Sequence, residues 1–460
     1  MSRSEPRRPG RYSIGRAAAI AVKPLQFFPP LDINGRWCWY DRDGADAGNC
    51  PTLPRCGDRR PRKPTVLSGS GQPDPSSPAD AGTAAGGPID SLSTSLPVAP
   101  AMPPSQKSLD RKLARILADP GCGDFIIADA KDADMAFGLA APGVEPGGDP
   151  RVGPYRSIAA YREQIRGIVA DGNVDIMLMS GSTNAVLAID EGLFNDSPVT
   201  PAVRLNDTTD IWLASGTGRY AGQPALPFAT CTIHQAQYGC VAGSRSVSAG
   251  NQTTDPDRVP GADLGLFSLT LNDDATADRA MLTAYRDFRL AAEQQGFRHF
   301  LEVFYPNCLR DPDGRPPANI DRFLADHVVR CLAGVPASGR PIFLKIPYLG
   351  PAVMEQLAGY DPSLVVGILG GSAGTTHDAF ALVADAKRHG ARVALFGRKI
   401  NAAEDQRAFV RFLRAVADEK ISSEEAVRAY HGHLESAGIP ARRPLAEDLV
   451  RGTTESAYAS

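Results

Sequence analysis

One lysine stands alone in an apolar segment of the sequence, and it suggests the first chemical hypothesis. Lys345 lies in the middle of the run RPIFLKIPYLG at 340–350, which has the composition of a strand buried in a parallel sheet. Side chains alternate across a strand, so Phe343, Lys345 and Pro347 are expected on one face. The ammonium can reach solvent, pair with an acid, or lose its proton because water is excluded. In the last case the amine is a nucleophile that attacks a carbonyl and forms a Schiff base.

Two carboxylates are candidates to act with this amine. Asp129 closes the first predicted strand, and Glu302 lies in the fifth. The strand parities permit both to face inward together with Lys345. Imine chemistry uses an amine with acid and base groups, because dehydration and proton transfer at the neighbouring carbon both need them. Each carboxylate taken singly also fits an ordinary solvated acid at the end of a strand.

Two segments further along the chain predict a phosphate site. The residues at 370–378 are GGSAGTTHD, and those at 397–399 are GRK. Glycines let backbone N–H groups approach a ligand closely, and a helix that begins after Thr375 directs its positive end to the same place. Thr375 and Asp378 also have capping-box spacing. The alternative is that the glycines only form tight turns.

The elements that must position these residues alternate between short apolar runs and longer amphipathic ones. Eight strands are predicted at 124–129, 174–179, 199–205, 262–271, 299–304, 340–350, 364–369 and 392–396. Helices are predicted at 109–117, 155–170, 183–194, 275–295, 320–333, 352–358, 376–388, 402–416 and 423–437. Eight strand–helix units favour an α/β fold of the (β/α)₈ (TIM) barrel type over an open doubly wound sheet. In such barrels the site lies at the C-terminal ends of the strands, and the loops after strands seven and eight bind phosphate.

Composition divides the chain into three parts. Residues 1–106 are rich in arginine and then in Pro, Ser, Ala and Gly, with too few large apolar side chains to offset the entropy of ordering, so we expect a disordered low-complexity tail. Met102 lies where the low complexity stops, and translation starting there is one hypothesis. The barrel is expected at 107–450, followed by a C-terminal tail at 451–460. It contains an insertion at about 207–261, with a strand expected at 228–234, and we expect this insertion to form a lid over the barrel mouth.

The overall composition narrows the class of protein. The chain has 460 residues, 43% of them hydrophobic and 22% charged, and a formal net charge of -3, which gives no reason to expect a nucleic-acid partner. No apolar run approaches the roughly 18 residues that a membrane span needs, and no secretion signal is recognisable. The eight cysteines lack paired CxxC spacing, which predicts free thiols in a reducing cytosol. We therefore expect a cytoplasmic protein without a membrane partner. A homo-oligomer is a separate expectation.

Several motifs resemble those of the archaeal-type class I fructose-bisphosphate aldolases, which form Schiff bases. The similarity is best over 300–401 and includes the lysine motif KxxYxG at 345–350, the glycine pair at 370–371 and the segment GARxxxxGRxI at 390–400. The resemblance implies a (β/α)₈ barrel, carbon–carbon lyase activity in carbohydrate metabolism, a phosphorylated sugar or keto substrate, and no metal or other cofactor.

The resemblance also implies roles for individual residues. Lys345 takes the position of the Schiff-base lysine, and Asp129 takes that of the first-strand aspartate. Tyr305 takes the position of an acid group just after strand five, and Glu302 that of an acid group within strand five. The positions similar to the phosphate site are Gly370, Gly371, Ser372, Gly397 and Arg398. The chain departs from the family in its fourth strand, GLFSLTLN at 265–272, which has no lysine, and in its first strand, which lacks Asp-His-Gly. It is therefore similar to a divergent branch.

Two other functions compete with the aldolase hypothesis. A metal-dependent aldolase or isomerase would need several His or carboxylate ligands at strand ends, whereas the histidines are scattered and His431 and His433 cannot share a helix face. A catalytically silent barrel that binds a phosphosugar and acts in regulation would retain the phosphate loops without the full chemistry. The missing lysine of the fourth strand favours this second alternative.

Overall fold

The structure is a computed structural model that describes residues 107–149, 152–208, 222–244, 259–309, 319–371 and 374–452. The predicted tail at 1–106, with Met102, lies outside the described residues, as do Ser372 and most of the predicted tail at 451–460. The insertion predicted at 207–261 is described in part.

Eight parallel strands form the wall of a barrel. They are β1 (Ile126–Lys131), β2 (Ile176–Met179), β3 (Thr200–Arg204), β4 (Leu264–Thr270), β5 (Arg298–Phe304), β6 (Leu344–Lys345), β7 (Gly367–Leu369) and β8 (Val393–Phe396). Each strand pairs in parallel with its sequence neighbour, and β1 pairs with β8. Backbone hydrogen bonds from Leu344 N to Val365 O (2.9 Å) and from Ile346 N to Gly367 O (3.0 Å) join β6 to β7 and close the barrel. The prediction of a (β/α)₈ barrel is confirmed.

Helices follow the strands along the chain. Their bounds are Ser108–Ala118, Asp134–Phe137, Ile158–Asp171, Gly181–Asn184, Ile233–Tyr238, Ala275–Gln294, Ile320–Ala333, Gly350–Tyr360, Thr376–Arg388, Arg398–Asn401, Gln406–Ala417, Ser423–Ser436 and Leu445–Asp448. A π-helix, Ala185–Asp190, extends the fourth of these, and 3₁₀ turns lie at Gly138–Ala140 and Ala337–Gly339. Two small antiparallel hairpins complete the elements, Val144–Asp149 with Gly153–Tyr155 and Asn206–Thr208 with Pro227–Ala229.

Of three separate apolar cores in the described part of the chain, the two largest show which face of each strand is inside. The smaller core joins strand residues with Leu109 and Ile116 of the N-terminal helix, and contains no residue of the helices that follow the strands. We call this inner space the lumen. Its members on the strands or directly before them are Ile126, Ala128, Ala130, Ile176, Leu178, Ala202, Leu264, Leu266, Phe300, Phe343, Val365, Val393 and Leu395. The larger core lies between the strands and the outer helices, and takes the alternate positions, such as Leu301, Leu344 and Ile346.

The lysine strand is much shorter than its predicted range of 340–350. The strand covers only Leu344–Lys345 and lies between Pro341 and Pro347. Proline has no N–H to donate, so the ladder cannot continue through either position. The predicted parity is nevertheless confirmed, since Phe343 faces the lumen and Leu344 faces the outer helices.

The described part of the insertion differs from its prediction. A strand was expected at 228–234, whereas the structure has the short strand Pro227–Ala229 followed by the helix Ile233–Tyr238. The helix begins at a capping box in which Thr232 and Gln235 bond each other's backbone, and it ends at Gly239 with φ +73°. These local capping signals outweigh the β-branched and aromatic residues that favoured a strand.

Two predictions from composition can be checked on the described residues. Cys122, Cys231, Cys240, Cys308 and Cys331 are free thiols, as expected. Among the helices that the structure describes, none has the length and hydrophobicity needed to cross a bilayer.

Candidate functional site

A buried amine and a buried carboxylate meet in the lumen. Lys345 of β6 and Glu302 of β5 are partners in the strand register, and both point into the lumen because they share the parity of Phe343 and Phe300. The Lys345 Nζ atom lies 2.5 Å from Glu302 Oε1, and the side chains are 7% and 2% exposed. Below them the rings of Phe300 and Phe343 stack at 4.7 Å. The pair therefore lies above an apolar floor, toward the C-terminal ends of the strands.

A second cation, Arg204 at the end of β3, binds the same carboxylate. Its Nη2 donates to Glu302 Oε2 at 2.9 Å, and its Nη1 donates to Ser268 Oγ of β4 at 2.8 Å. Two further carboxylates complete its surroundings, with Asp132 Oδ2 2.5 Å from Nε and Asp207 Oδ1 3.2 Å from Nη1. Ser268 Oγ also donates to Glu302 Oε2 at 2.7 Å. Two cations and three carboxylates thus form one buried network.

The network determines the ionisation of Glu302. Burial alone would raise the pKa of Glu302, but the charges of Lys345 and Arg204 and the hydrogen bonds from Lys345 and Ser268 outweigh it and hold this pKa below its ordinary value. Of the three alternatives considered for Lys345, the structure shows the second, a pairing with an acid. The amine is within reach of a base that can take its proton.

Asp129 does not belong to this network, and the prediction that it faces inward with Lys345 is wrong. Strand β1 continues beyond Asp129 to Lys131, and the lumen positions are taken by Ala128 and Ala130. Asp129 therefore points to the opposite side, beneath the outer helices. The aspartate that reaches the lumen is Asp132, two residues beyond Ala130 and bonded to Arg204.

Beneath the helices, Asp129 forms a buried cluster with Lys131. Both side chains are 0% exposed, and Lys131 Nζ lies 3.5 Å from Asp129 Oδ2, which is long for a hydrogen bond. Lys131 donates instead to Gln406 Oε1 at 2.8 Å and to the side-chain oxygen of Asn401. Neither oxygen of Asp129 accepts a hydrogen bond among the described residues. Burial is the main reason that the pKa of Asp129 is raised to about 6, against a smaller opposing effect of Lys131.

This environment predicts how Asp129→Asn changes stability with pH. A carboxyl whose folded pKa is about 6, against 3.8 unfolded, binds more protons when folded, so its contribution to stability falls as pH rises through that window. Asparagine has no such dependence. The free energy of unfolding of the variant, relative to the parent, should therefore increase by about 2–3 kcal/mol between pH 4 and pH 7. Urea titrations at both pH values measure it, and a difference that does not change with pH would contradict this account of Asp129.

Tyr305 also lies away from the Lys345 amine. It follows Glu302 by three residues and so has the opposite parity, and it packs against the outer core. Its hydroxyl donates a hydrogen bond to Asp321 in the helix Ile320–Ala333. The expected acid role of Tyr305 in the lumen is not supported by this position, and Glu302 is the acid that contacts Lys345.

The two predicted phosphate loops lie side by side at the ends of β7 and β8. A side-chain carbon at Gly370 would lie 2.2 Å from the ring of Phe396, so close packing of the wall itself requires this glycine. Gly371 has φ +60°. Gly397 precedes the short helix Arg398–Asn401. Lys399 Nζ donates to Gly374 O at 3.0 Å and so connects the two loops.

Arg398 has the features of an anion-binding residue at this position. Its side chain is exposed, and its guanidinium lies 5.6 Å from the ring centre of Phe137. Among the described residues it makes no hydrogen bond or salt bridge. Partial removal from water lowers the pKa of Arg398, and the negative charge of Glu302 opposes this effect.

The helix Thr376–Arg388 does not offer its N-terminus to a ligand, contrary to the prediction. The capping box predicted for Thr375 and Asp378 is confirmed, and the Thr375 N–H donates to Asp378 Oδ2 at 2.7 Å. The Thr376 N–H donates to Asp448 Oδ1 at 2.7 Å. Asp448 belongs to the last helix and is bonded to His431 at 3.0 Å through its other oxygen. Carboxylates of the chain itself thus occupy the positive end of this helix.

The described residues contain no group of three or more His, Cys, Asp or Glu side chains placed to hold a metal ion. His431 pairs with Asp448, and His433 with Asp405 at 2.8 Å. His299 is buried, bonds the Tyr285 hydroxyl at 3.0 Å, and has a pKa lowered to about 3 mainly by burial. These contacts account for three of the scattered histidines as parts of the protein scaffold.

Solved structures with related folds were found, whereas no protein-family model and no curated protein matches the chain. An archaeal fructose 1,6-bisphosphate aldolase is 18% identical with a TM-score of 0.45, over 68% of this chain and 100% of that chain. A Schiff base-forming fructose-1,6-bisphosphate aldolase is 18% identical with a TM-score of 0.45, over 67% and 100%. Fructose-bisphosphate aldolase from Slackia heliotrinireducens DSM 20476 is 16% identical with a TM-score of 0.48, over 72% and 94%. The chain is thus similar to the aldolases that its sequence resembles, at a level that carries no argument about its own reaction.

Proposed function

We propose that this protein is a Schiff-base lyase that acts on a phosphorylated sugar or keto compound through Lys345, without a metal ion. The observation that supports the proposal most directly is the 2.5 Å contact between Lys345 Nζ and Glu302 Oε1, whose side chains are only 7% and 2% exposed. An amine nucleophile needs a base to take its proton, and here that base is already in contact.

The first half of the proposed reaction forms the imine. Lys345 transfers a proton to Glu302, and the neutral amine attacks the ketone carbon of the substrate to give a carbinolamine. Glu302 then returns its proton to the carbinolamine hydroxyl, which leaves as water. The resulting iminium ion carries the positive charge that the ammonium carried before, so the carboxylates of the network still balance it.

The second half uses the iminium ion as an electron sink. Glu302, a carboxylate again after the dehydration, takes the proton of the hydroxyl on the departing carbon, and this hydroxyl becomes the carbonyl of the aldehyde product as the carbon–carbon bond breaks. The electron pair of that bond forms an enamine, and Glu302 then returns the proton to the enamine carbon. Hydrolysis of the imine then releases the ketone product and restores Lys345. In the opposite direction the same steps form the bond.

Borohydride reduction in the presence of a panel of ketose phosphates should add the mass of the reduced substrate at Lys345, and the absence of any adduct would count against the proposal.

The substrate phosphate is assigned to the rim formed by the ends of β7 and β8. Arg398 offers a guanidinium with no described hydrogen-bond partner, and the backbone N–H groups of Gly371 and Gly397 lie in the same two loops. Ser372 stays a predicted member of this site. Since the N-terminus of the helix Thr376–Arg388 is occupied by Asp378 and Asp448, we assign no phosphate contact to it.

Arg398→Ala should weaken substrate binding more than turnover. Loss of one charge-assisted hydrogen bond to phosphate costs roughly 1.5–3 kcal/mol, so KM should rise on the order of 10- to 150-fold while kcat changes little. Steady-state kinetics with the best ketose phosphate measures this split. Arg428→Ala is the matched control, because Arg428 pairs with Glu424 on the outer helix Ser423–Ser436, and its KM should stay at the parent value. A parent-like KM in Arg398→Ala would remove Arg398 from the phosphate site.

A second candidate function is a catalytically silent barrel that binds a phosphosugar. The ion pair between Lys345 and Glu302 favours this function, since each charge already has a partner without a substrate. A second supporting observation is that β4 presents Ser268 rather than a lysine. The same panel distinguishes the two candidates. A ligand that raises the thermal stability of the protein without a borohydride adduct at Lys345 would identify a binding protein.

A further inference from the structure

The oxygens of the Glu302 carboxylate have different partners. Oε1 faces the Lys345 amine at 2.5 Å. Oε2 accepts from Arg204 Nη2 at 2.9 Å and from Ser268 Oγ at 2.7 Å. A carboxylate held by two donors on one oxygen cannot rotate without breaking both bonds, so the other oxygen is fixed in its direction. That fixed oxygen is the one beside the amine.

Arg204 is itself held from several sides, and this limits what it can do. A guanidinium has five N–H groups. Four of them form hydrogen bonds here, one from Nε to Asp132, two from Nη1 to Asp207 and Ser268, and one from Nη2 to Glu302. The side chain is 6% exposed. Arg204 therefore has little capacity left to bind a substrate carboxylate or phosphate, and it acts on the reaction only through another residue.

The position of Arg204 in the barrel also matters. The strand next to β5 is β4, and the β4 residue at this level is the neutral Ser268, paired with Glu302 in the register. The second cation of the lumen is supplied from β3, one strand further away, and it reaches across Ser268 to Glu302. Asn206 fixes this serine in turn, since its side chain bonds both the N–H of Ser268, at 2.6 Å, and the carbonyl of Ser268, at 3.0 Å.

We propose that Arg204 is a positioning residue, which together with Ser268 clamps Glu302 Oε2 so that Oε1 receives the Lys345 proton and returns it during dehydration. This inference rests on the proposed imine reaction at Lys345. The clamp keeps Glu302 in place at the carbinolamine stage, when the Lys345 nitrogen and the protonated Glu302 are both neutral and charge attraction no longer holds the pair together. It also keeps the carboxyl a strong acid, because a neighbouring cation disfavours the protonated form.

The pH profile of imine formation tests the clamp. The rate of adduct formation at Lys345 is measured with cyanoborohydride and the ketose phosphate that the parent protein traps best. In Arg204→Gln the acid limb of the profile should move to higher pH by at least roughly one unit, because Glu302 loses an adjacent positive charge. In Arg204→Lys, which keeps the charge, the acid limb should move less. In Ser268→Ala the acid limb should also move to higher pH, with the fold retained.

A matched control separates positioning from structural support. Arg414 forms a buried ion pair with Asp175 outside the lumen, at 2.5 Å, so Arg414→Gln should lower stability and leave the acid limb where it is. If the Arg204 and Ser268 variants also reduce the rate equally at every pH without moving the limb, Arg204 only supports the fold and the proposal is overturned.

A measurement without substrate tests the clamp on Glu302 separately from the imine reaction. The pKa of Glu302 is held low in the folded protein, so its stabilising contribution is present above the unfolded value and is lost as pH falls. In Arg204→Lys and Ser268→Ala, where the folded pKa of Glu302 lies closer to its unfolded value, the loss of thermal stability on acidification should be smaller and should end at a higher pH than in the parent. This difference should disappear in a Glu302→Gln background. A parent protein that traps no ketose would refute the imine reaction alone. Unmoved acid-side stability profiles would refute the clamp.

Discussion

Lys345→Met should abolish both the borohydride adduct and the lyase activity. The variant has no amine in the lumen, so the covalent route is lost and the rate should fall by roughly 10⁶-fold or more, the lower range of enzymatic rate enhancements. The fold should survive, because Glu302 keeps its bonds from Arg204 and Ser268 when Lys345 is removed. The measurements are peptide mass mapping after reduction and turnover of the same ketose phosphate, both in excess chelator.

The chain offers an internal control for this experiment. Lys131 is another fully buried lysine, but it lies on the opposite face of the barrel wall and donates to Gln406 and Asn401. Its peptide should carry no adduct in the parent protein or in Lys345→Met. An adduct at Lys131, or an unchanged adduct yield after Lys345→Met, would show that the reactive amine is elsewhere. Turnover that stops when the chelator is added would instead favour the metal-dependent alternative.

The architecture was largely predictable because it is set by periodic patterns. Apolar runs of strand length alternate with amphipathic segments, and the helices at 320–333 and 376–388 have the predicted bounds in the structure. The inward parity of Lys345 and Glu302 was also predicted, because each lies in a run whose neighbours alternate clearly between the two cores. Such patterns report which face is buried, and this is what places a side chain in the lumen.

The content of the site was less predictable, because several cations give the same signal. Lys131, Arg204 and Lys345 each interrupt an apolar strand, and only two of them face the lumen. The prediction singled out Lys345 and passed over Arg204, although a charged residue at the end of the apolar run 199–205 met the same criterion. Asp132, Asp207 and Ser268 were missed because their role depends on contacts between strands that are far apart in sequence.

The misplacement of Asp129 has a local cause. The run before it, Ile126-Ile127-Ala128, is apolar on both faces, so nothing in the sequence indicates which face is the lumen. The end of the strand was predicted at Asp129, where it would have opened on the site, whereas β1 continues for two residues. A shift of one residue in parity moves a side chain to the other face of a sheet. The pair formed by Asp129 and Lys131 on one face was the available signal of a separate cluster.

Glu302→Gln should be costly for both stability and catalysis. The carboxylate is shared by two buried cations, and its removal leaves Lys345 with a buried charge and no described anionic partner, whereas Arg204 keeps Asp132 and Asp207. Breaking a buried ion pair on one side costs about 3–5 kcal/mol, which urea denaturation should detect. Catalysis should fall on the order of 10²- to 10⁴-fold, since both proton transfers at the imine lose their acid and base.

A double variant identifies the cause of that loss of stability. If the cost of Glu302→Gln comes from the orphaned ammonium, then adding Lys345→Met removes the charge, and Glu302→Gln/Lys345→Met should be more stable than Glu302→Gln alone. Strict additivity of the two free-energy changes would mean that the pair is not coupled in solution. The asymmetry between the single variants is the sharper consequence. Lys345→Met should cost less stability than Glu302→Gln, because the carboxylate that remains in Lys345→Met still bonds Arg204 and Ser268. The reverse order would contradict the arrangement of this network.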